Sequence, residues 1–262
     1  MSVNSFIKKK SQTYNLHYVL CGMVLFFAFI SMTFSQENPE IKDNKILYNK
    51  ELSGSIIGHT NGWGLNFRKA THITGLRKGV LEIDLVGMKH NKEIKSYYIY
   101  ANNTKGYVYG KLNSFTILRT GYGFLQVLNE KPYRGGVEVG CLYAGGVDVS
   151  FLKPIYVLVL DSSVNYNNFY SVKKYGYEIN QEDIYGKASF IKGFNEIKLQ
   201  FGLFAKLGFN FDFGSYYEYV RALQIGAVLD AYPKPVPIMA ITKNNNFFLT
   251  FYLSLNFGKR YN

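Results

Sequence analysis

From 197 to 213 the chain alternates without a break: Ile197, Leu199, Phe201, Leu203, Ala205, Leu207, Phe209, Phe211 and Phe213 are apolar, while Lys198, Gln200, Gly202, Phe204, Lys206, Gly208, Asn210 and Asp212 stand between them. A period of two sends successive side chains to opposite faces, so the segment predicts a β-strand. Its length is informative. A transmembrane strand needs ~9–11 tilted residues, whereas strands of soluble proteins mostly run to about 5–6. The C-terminus repeats the pattern, with Phe247, Leu249, Phe251, Leu253, Leu255 and Phe257 alternating with Phe248, Thr250, Tyr252, Ser254, Asn256 and Gly258. Shorter stretches centre on Leu81, Ile83 and Leu85, on Val137 through Cys141 to Phe151, and on Leu223 to Leu229. The region 107–128 and the segment Trp63, Leu65, Phe67 are less regular but strand-like.

Charge on one face and unbroken apolar side chains on the other, strand after strand, suit a barrel with lipid outside and polar groups inside. The competing fold is a soluble sandwich or lipocalin-like barrel with its apolar face inward. Long strands carrying many large aromatics on the continuous face weigh against it. The predicted fold class is therefore all-β: a closed antiparallel transmembrane β-barrel of about eight strands.

Loop lengths orient it. With a periplasmic C-terminus, 232–246 is external and 214–218 a periplasmic turn; 161–195 becomes a long external loop, 129–134 a short turn and 89–105 another long loop. This scheme leaves an odd number of strands. An early hairpin between Ile46 and Phe67, turning near Asn61-Gly62, supplies the missing one. Pro233, Pro235 and Pro237 cannot donate to a ladder, so they belong at a rim or in a loop. A short helix is expected near 181–186.

The N-terminus changes the compartment. Lys8, Lys9 and Lys10 precede an apolar stretch from 18 to 34 and small residues at Thr33 and Ser35, which reads as a secretory signal cleaved after Ser35, leaving 36–262 as the barrel. A retained anchor is the alternative, but the apolar run is shorter than the ~20 residues of a spanning helix. Cys21 follows Leu20 rather than a small residue, against lipidation. The exported chain then keeps only Cys141, so no internal disulfide is available. Aromatics make up 17% of the chain and charged residues 18%, too aromatic for disorder and too polar for a helical membrane protein. The formal charge of +12 drops to +9 with loss of the three signal lysines, and it is dispersed. Dispersed positive charge on an exported protein points to outer-membrane lipid or lipopolysaccharide and to other envelope proteins as partners, not to nucleic acid.

Several segments together resemble the small outer-membrane β-barrels of Bacteroidota: the signal ending Ser35-Gln36, the stretch Glu130-Lys131-Pro132-Tyr133-Arg134-Gly135-Gly136-Val137, the run Pro237-Ile238-Met239-Ala240, and the closing strand 247–260. The resemblance is one of architecture and implies localisation in the bacterial outer membrane. Such families are largely without assigned activity, so it carries over no catalytic residue. The residues 258–262 after Phe257 depart from the aromatic ending many such barrels have.

Candidate chemistry is sparse. His59, His72 and His90 are the histidines outside the signal; His90, with Ser96 or Glu93, is the one conceivable start of a hydrolytic set, and no G-x-S-x-G elbow accompanies it. His and Cys lack metal-ligand spacing, and no catalytic residue, metal or cofactor is expected. Tyr97, Tyr98 and Tyr100 suit an interfacial girdle. Inward parity predicts a charge network in the lumen: Glu82, Asp84, Glu138, Asp148, Asp212 and Asp230 facing Arg68, Lys111, Lys198 and Lys206. Such charges must pair in a narrow low-dielectric interior. The expected function is accordingly a non-catalytic structural or accessory subunit that binds protein partners, with outer-membrane assembly and secretion machinery among its possible settings. A narrow porin-like channel and, less favoured, a lipid-modifying barrel enzyme remain alternatives.

Overall fold

The computed structural model describes residues 48–97, 106–131, 136–160, 170–176, 179–214 and 218–262. The signal at 1–35, Pro132 to Gly135 of the resemblance stretch, Tyr98 and Tyr100, and parts of the turn 214–218 and the loop 161–195 lie outside the described residues. Eight strands form a closed barrel: β1 (Lys50–His59), β2 (Gly62–Thr74), β3 (Arg77–Met88), β4 (Asn113–Asn129), β5 (Glu138–Pro154), β6 (Lys198–Asp212), β7 (Tyr219–Ala231) and β8 (Phe247–Tyr261). Each pairs antiparallel with its neighbours in sequence, and β8 closes on β1 from Lys50↔Tyr261 to His59↔Tyr252. Closure removes sheet edges, leaving every backbone group in the ladder a partner.

The first hairpin turns at Thr60-Asn61, one residue before the pair singled out in the sequence, and its second strand runs on to Thr74. The last strand also extends further than its alternation suggested. Gly258 to Tyr261 continue the ladder against β1, so an aromatic, Tyr261, closes the barrel strand after all. Connections 75–76, 130–137 and 213–218 lie at the end of the barrel that holds both termini of the sheet, and the long ones, 89–112, 155–197 and 232–246, lie at the other.

Alternation resolves into two environments. Outward positions are predominantly apolar and bare: Phe201 is 66% exposed, Leu203 63% and Phe251 61%, with Trp63, Leu65, Phe67, Leu81 and Leu85 around the same wall. Inward positions are polar and buried, among them Glu82, Asp84, Asp148, Asp230 and Gln224. A soluble barrel would show the reverse. An apolar belt around a closed antiparallel barrel of 10- to 17-residue strands is the architecture that spans the bacterial outer membrane, and that is where this protein resides. Cys141, on outward parity, is a free thiol.

Candidate functional site: the filled lumen and the outer cap

Inside the barrel the charges are stacked in layers along the axis. Arg68 on β2 faces Glu82 on β3, with Nε donating to Oε1 at 2.6 Å, and its other arm reaches Gln224 on β7, which in turn donates to the Tyr252 hydroxyl. Lys206 on β6 crosses the lumen and donates to Glu82 at 3.0 Å and Asp84 at 3.2 Å. Asn66 donates to Asp84 and accepts from the Ser55 hydroxyl at 3.0 Å. Arg119 on β4 grips Asp230 on β7 with two bonds, 2.6 and 2.8 Å, the fork-to-carboxylate geometry that fixes both partners. Asp148 lies in this layer, close to Asp230, Arg119 and the Tyr232 ring. Gly202 opposite is held to glycine by that crowding, since a β-carbon there would come 2.3 Å from an Asp148 oxygen and 2.7 Å from the Tyr232 ring.

A second layer closes the periplasmic end. Glu51 on β1 accepts from Lys78 at 2.7 Å, from Arg260 at 2.8 Å and meets His72 at 3.2 Å. Arg260 also binds Asp212, which accepts from Lys131 at 3.0 Å, while Lys78 reaches Glu138 at 3.4 Å.

Of the ten lumen residues expected from parity, Arg68, Glu82, Asp84, Asp148, Lys206, Asp212 and Asp230 are buried inside the barrel, and Glu138 sits half-buried at its periplasmic end. Two are misplaced. Lys111 is not on a barrel strand: β4 begins at Asn113, and the left-handed Gly110 (φ 78°) turns the chain before it, so Lys111 pairs with Glu93 at 2.6 Å in the outer cap. Lys198 has inward parity but stands at the first position of β6, where the mouth opens, and it is exposed. The residues that parity missed are Glu51, Lys78, Arg119 and Arg260, together with Lys131 from a periplasmic turn.

Above the charge layers the mouth is stoppered by apolar side chains. The loop 232–246 folds inward, burying Tyr232, Val236, Ile238 and Met239 against Phe115, Phe204 and Phe248. Its backbone is pinned at both flanks: Leu112 N–H donates to the Ile238 carbonyl (2.9 Å), the Asn113 side-chain amide donates to the Pro237 carbonyl (2.7 Å), and the Asn244 Oδ1 accepts from the Ile238 and Met239 N–H groups. Between stopper and charges, the gap lined by Ile57, His59, Arg119, Lys206 and Tyr252 holds about 10 Å³, room for roughly one water.

Beyond the mouth the long loops fold into a cap. The described residues of 155–197 are not an irregular loop. Tyr156–Leu160 pairs with Tyr170–Lys174 on one side and Ile184–Lys187 on the other, and the helix expected near 181–186 is only a single 3₁₀ turn, Gln181–Asp183, leading into the third strand. This sheet packs Val157, Val159, Ile184 and Tyr175 against Tyr107 and Tyr109 of the preceding loop. Burial pushes the Tyr175 phenol up from its ordinary value, and its oxygen accepts from the Gly110 N–H at 2.9 Å. Hydrogen bonds from Lys174 and the Tyr156 hydroxyl hold the exposed Glu196 carboxyl below the usual range. Tyr97 lies in this cap, next to the Lys95–Ser96/Tyr107–Val108 pairing, rather than on the barrel wall where a girdle would be.

The histidines do not converge. His59 is at the outer hairpin, where its Nδ1 accepts from Asn61 N–H; His72 is at the periplasmic layer; His90 accepts from Lys92 N–H in a loop turn. Glu93, the acid imagined beside His90, is occupied by the His90 backbone and Lys111. Among the described residues no trio of His, Cys, Asp or Glu is placed to hold a metal ion.

No family model and no curated protein matches the chain. Solved structures with a similar course include Ail, the attachment invasion locus protein of Yersinia pestis (8% identity over 82% of this chain and 100% of that one, TM-score 0.37), and Neisserial surface protein A, NspA (8% identity, 82% and 97%, TM-score 0.39). Ail in complex with the heparin analogue sucrose octasulfate aligns at 10% identity over 82% and 100%, TM-score 0.37. Likeness this slight carries no argument about activity.

Proposed function

We propose that this outer-membrane barrel is a non-catalytic structural or accessory subunit that binds other envelope proteins through its outer cap, in a setting such as membrane assembly or secretion. The proposal includes residues 1–35 as its cleaved export signal and a source among the Bacteroidota. The observation that carries it is the pairing of a filled lumen with a folded cap. A barrel needs only hairpin turns to close; here the described residues of 155–197 form their own sheet with an apolar core. Long connections that are ordered are usually functional, and the cap leaves Ile94, Tyr97, Val172 and Ile241 exposed, the apolar and aromatic side chains that binding surfaces use.

Photo-crosslinkers at Val172 and Ile241 in the native envelope should capture discrete protein partners, whereas one at lipid-facing Leu207 should not. Absence of any crosslinked protein from every cap position would sink the accessory-subunit reading. The lumen gives an independent check. With stopper and two ionic layers in series, the purified protein in planar bilayers should show no stable conductance steps. Regular steps whose ion selectivity shifts in Lys206→Gln would favour the channel instead.

A further inference from the structure

The outward face of β5 ends on a lysine. Tyr143, Val147 and Phe151 project from the wall on odd positions, and Lys153 follows them. An ammonium at the upper edge of an apolar belt should be in water, yet Lys153 is only 8% exposed. Residues 189–196 fold over it: its Nζ donates to the Phe190 carbonyl at 2.9 Å and lies 4.3 and 5.2 Å from the ring centroids of Phe190 and Phe194. The two rings meet edge to face at 5.4 Å. Gly193 (φ 88°) allows the reversal, and a β-carbon there would come 2.8 Å from the Pro154 carbonyl, so the segment is seated tightly on the end of β5.

This knuckle satisfies the lysine and turns apolar surface outward. Phe190 is 61% and Ile191 78% exposed. They do not face the cap's core. The segment that carries them is seated on Lys153 and Pro154, just past Phe151, and Phe151 pairs with Leu199 at the top of the lipid-facing column that continues through Phe201 and Leu203. The charge along 187–198 is one-sided: the segment carries Lys187, Lys192 and Lys198 against one acid, Glu196, which is already bound by Lys174 and Tyr156.

We propose that the knuckle 187–198 is an interfacial anchor, seating Phe190 and Ile191 in the outer leaflet and binding an anionic, phosphate-bearing lipid headgroup through Lys187 and Lys192. Aromatic side chains favour the headgroup level of a membrane, lysines lay their stems on apolar surface with the ammonium toward phosphate, and each lysine adds attraction to an anionic surface. Continuity with the lipid-facing wall selects lipid over a protein as the occupant. The proposal rests on the barrel's membrane placement and is independent of what the cap binds.

The full chain in nanodiscs tests it, with Trp63→Phe as the background and a single reporter introduced as Ile191→Trp, Phe201→Trp or Ile241→Trp. Brominated phosphatidylcholine should quench the reporters at 191 and 201 strongly and the one at 241, in the cap, weakly. Quenching at 201 without quenching at 191 overturns the anchor while leaving the membrane barrel intact; no quenching at either overturns both. For the headgroup, protein extracted from mixed phosphatidylcholine and phosphatidylglycerol vesicles should retain phosphatidylglycerol preferentially by native mass spectrometry. Lys187→Gln and Lys192→Gln should each lower that enrichment by about fivefold, while Lys243→Gln in the cap leaves it unchanged. Equal retention of the two lipids by the wild type, or an enrichment indifferent to Lys187 and Lys192, overturns the headgroup site.

Discussion

Leu203→Arg should largely prevent the barrel from inserting into lipid vesicles. Leu203 lies on the outward face of β6, between Val147 on β5 and Ala231 on β7, and is 63% exposed to what the apolar belt identifies as hydrocarbon. A guanidinium there has no water and no carboxylate within the wall, and an arginine near the midplane of a barrel's lipid face costs about 2–4 kcal/mol. Leu203→Phe, which keeps the face apolar, should insert as the wild type does. Gly202→Leu, one residue away, should also fail, but for a different reason: its side chain would enter the space that Asp148 and Tyr232 fill. The two failures separate by solvent. In detergent micelles with a loose apolar shell, the arginine variant should recover more than the overpacked one. Insertion of Leu203→Arg at wild-type yield and stability, read by protease resistance and urea unfolding in vesicles, would remove lipid from that face.

The barrel was readable because its constraint is written at every position. Lipid on one side and a polar lumen on the other force a period of two for as long as the strand crosses, so β6 and β8 stand out in the sequence and the wall follows from them. What blurred was where strands end. The alternation that marks β3 begins at Leu81, four residues inside the strand, and leaves out Lys78; the closing strand 247–260 includes Arg260, but the alternation that assigns its faces stops at Gly258. Both bases lie on the periplasmic extensions, where turns and glycine weaken the alternation. Glu51 lies in the first arm of the early hairpin, where the small residues Ser53, Gly54 and Ser55 give too little contrast between faces to assign an inward side. Arg119 had the right parity beside Ile117 and Phe115, but β4 also presents Thr116, Thr120 and Gln126 outward, and that mixture hid its register. Lys111 failed for the opposite reason, because 107–112 looks strand-like in sequence while Gly110 turns it into the cap. The cap sheet was not legible at all. Its strands are four and five residues long and are held by contacts with other loops, information that local periodicity does not contain.

The lumen's integrity can be measured through Arg119. Its guanidinium spans from β4 to Asp230 on β7, both are buried, and Asp148 adds a second carboxylate at the same level. Arg119→Met removes the only cation bonded to Asp230 among the described residues and leaves two fully buried acids at one level of the lumen. Breaking a buried pair in this way costs about 3–5 kcal/mol, the larger part being the stranded charge rather than the lost attraction. The control follows from that reasoning: Arg119→Met combined with Asp230→Leu takes away both members of the pair, leaves Asp148 as the one acid of the layer, and should recover the part of the loss that Asp230 carries, since well-packed apolar replacements of buried pairs are often neutral. A double-mutant cycle by urea unfolding in vesicles then isolates the coupling between the two residues. A small cost for Arg119→Met alone, below about 1 kcal/mol, would mean that water reaches Asp230 and screens it. A lumen that wet at its central layer is not filled, and the same variant should then be carried to planar bilayers, because a conducting path through Asp148 and Asp230 would replace the subunit reading with a channel.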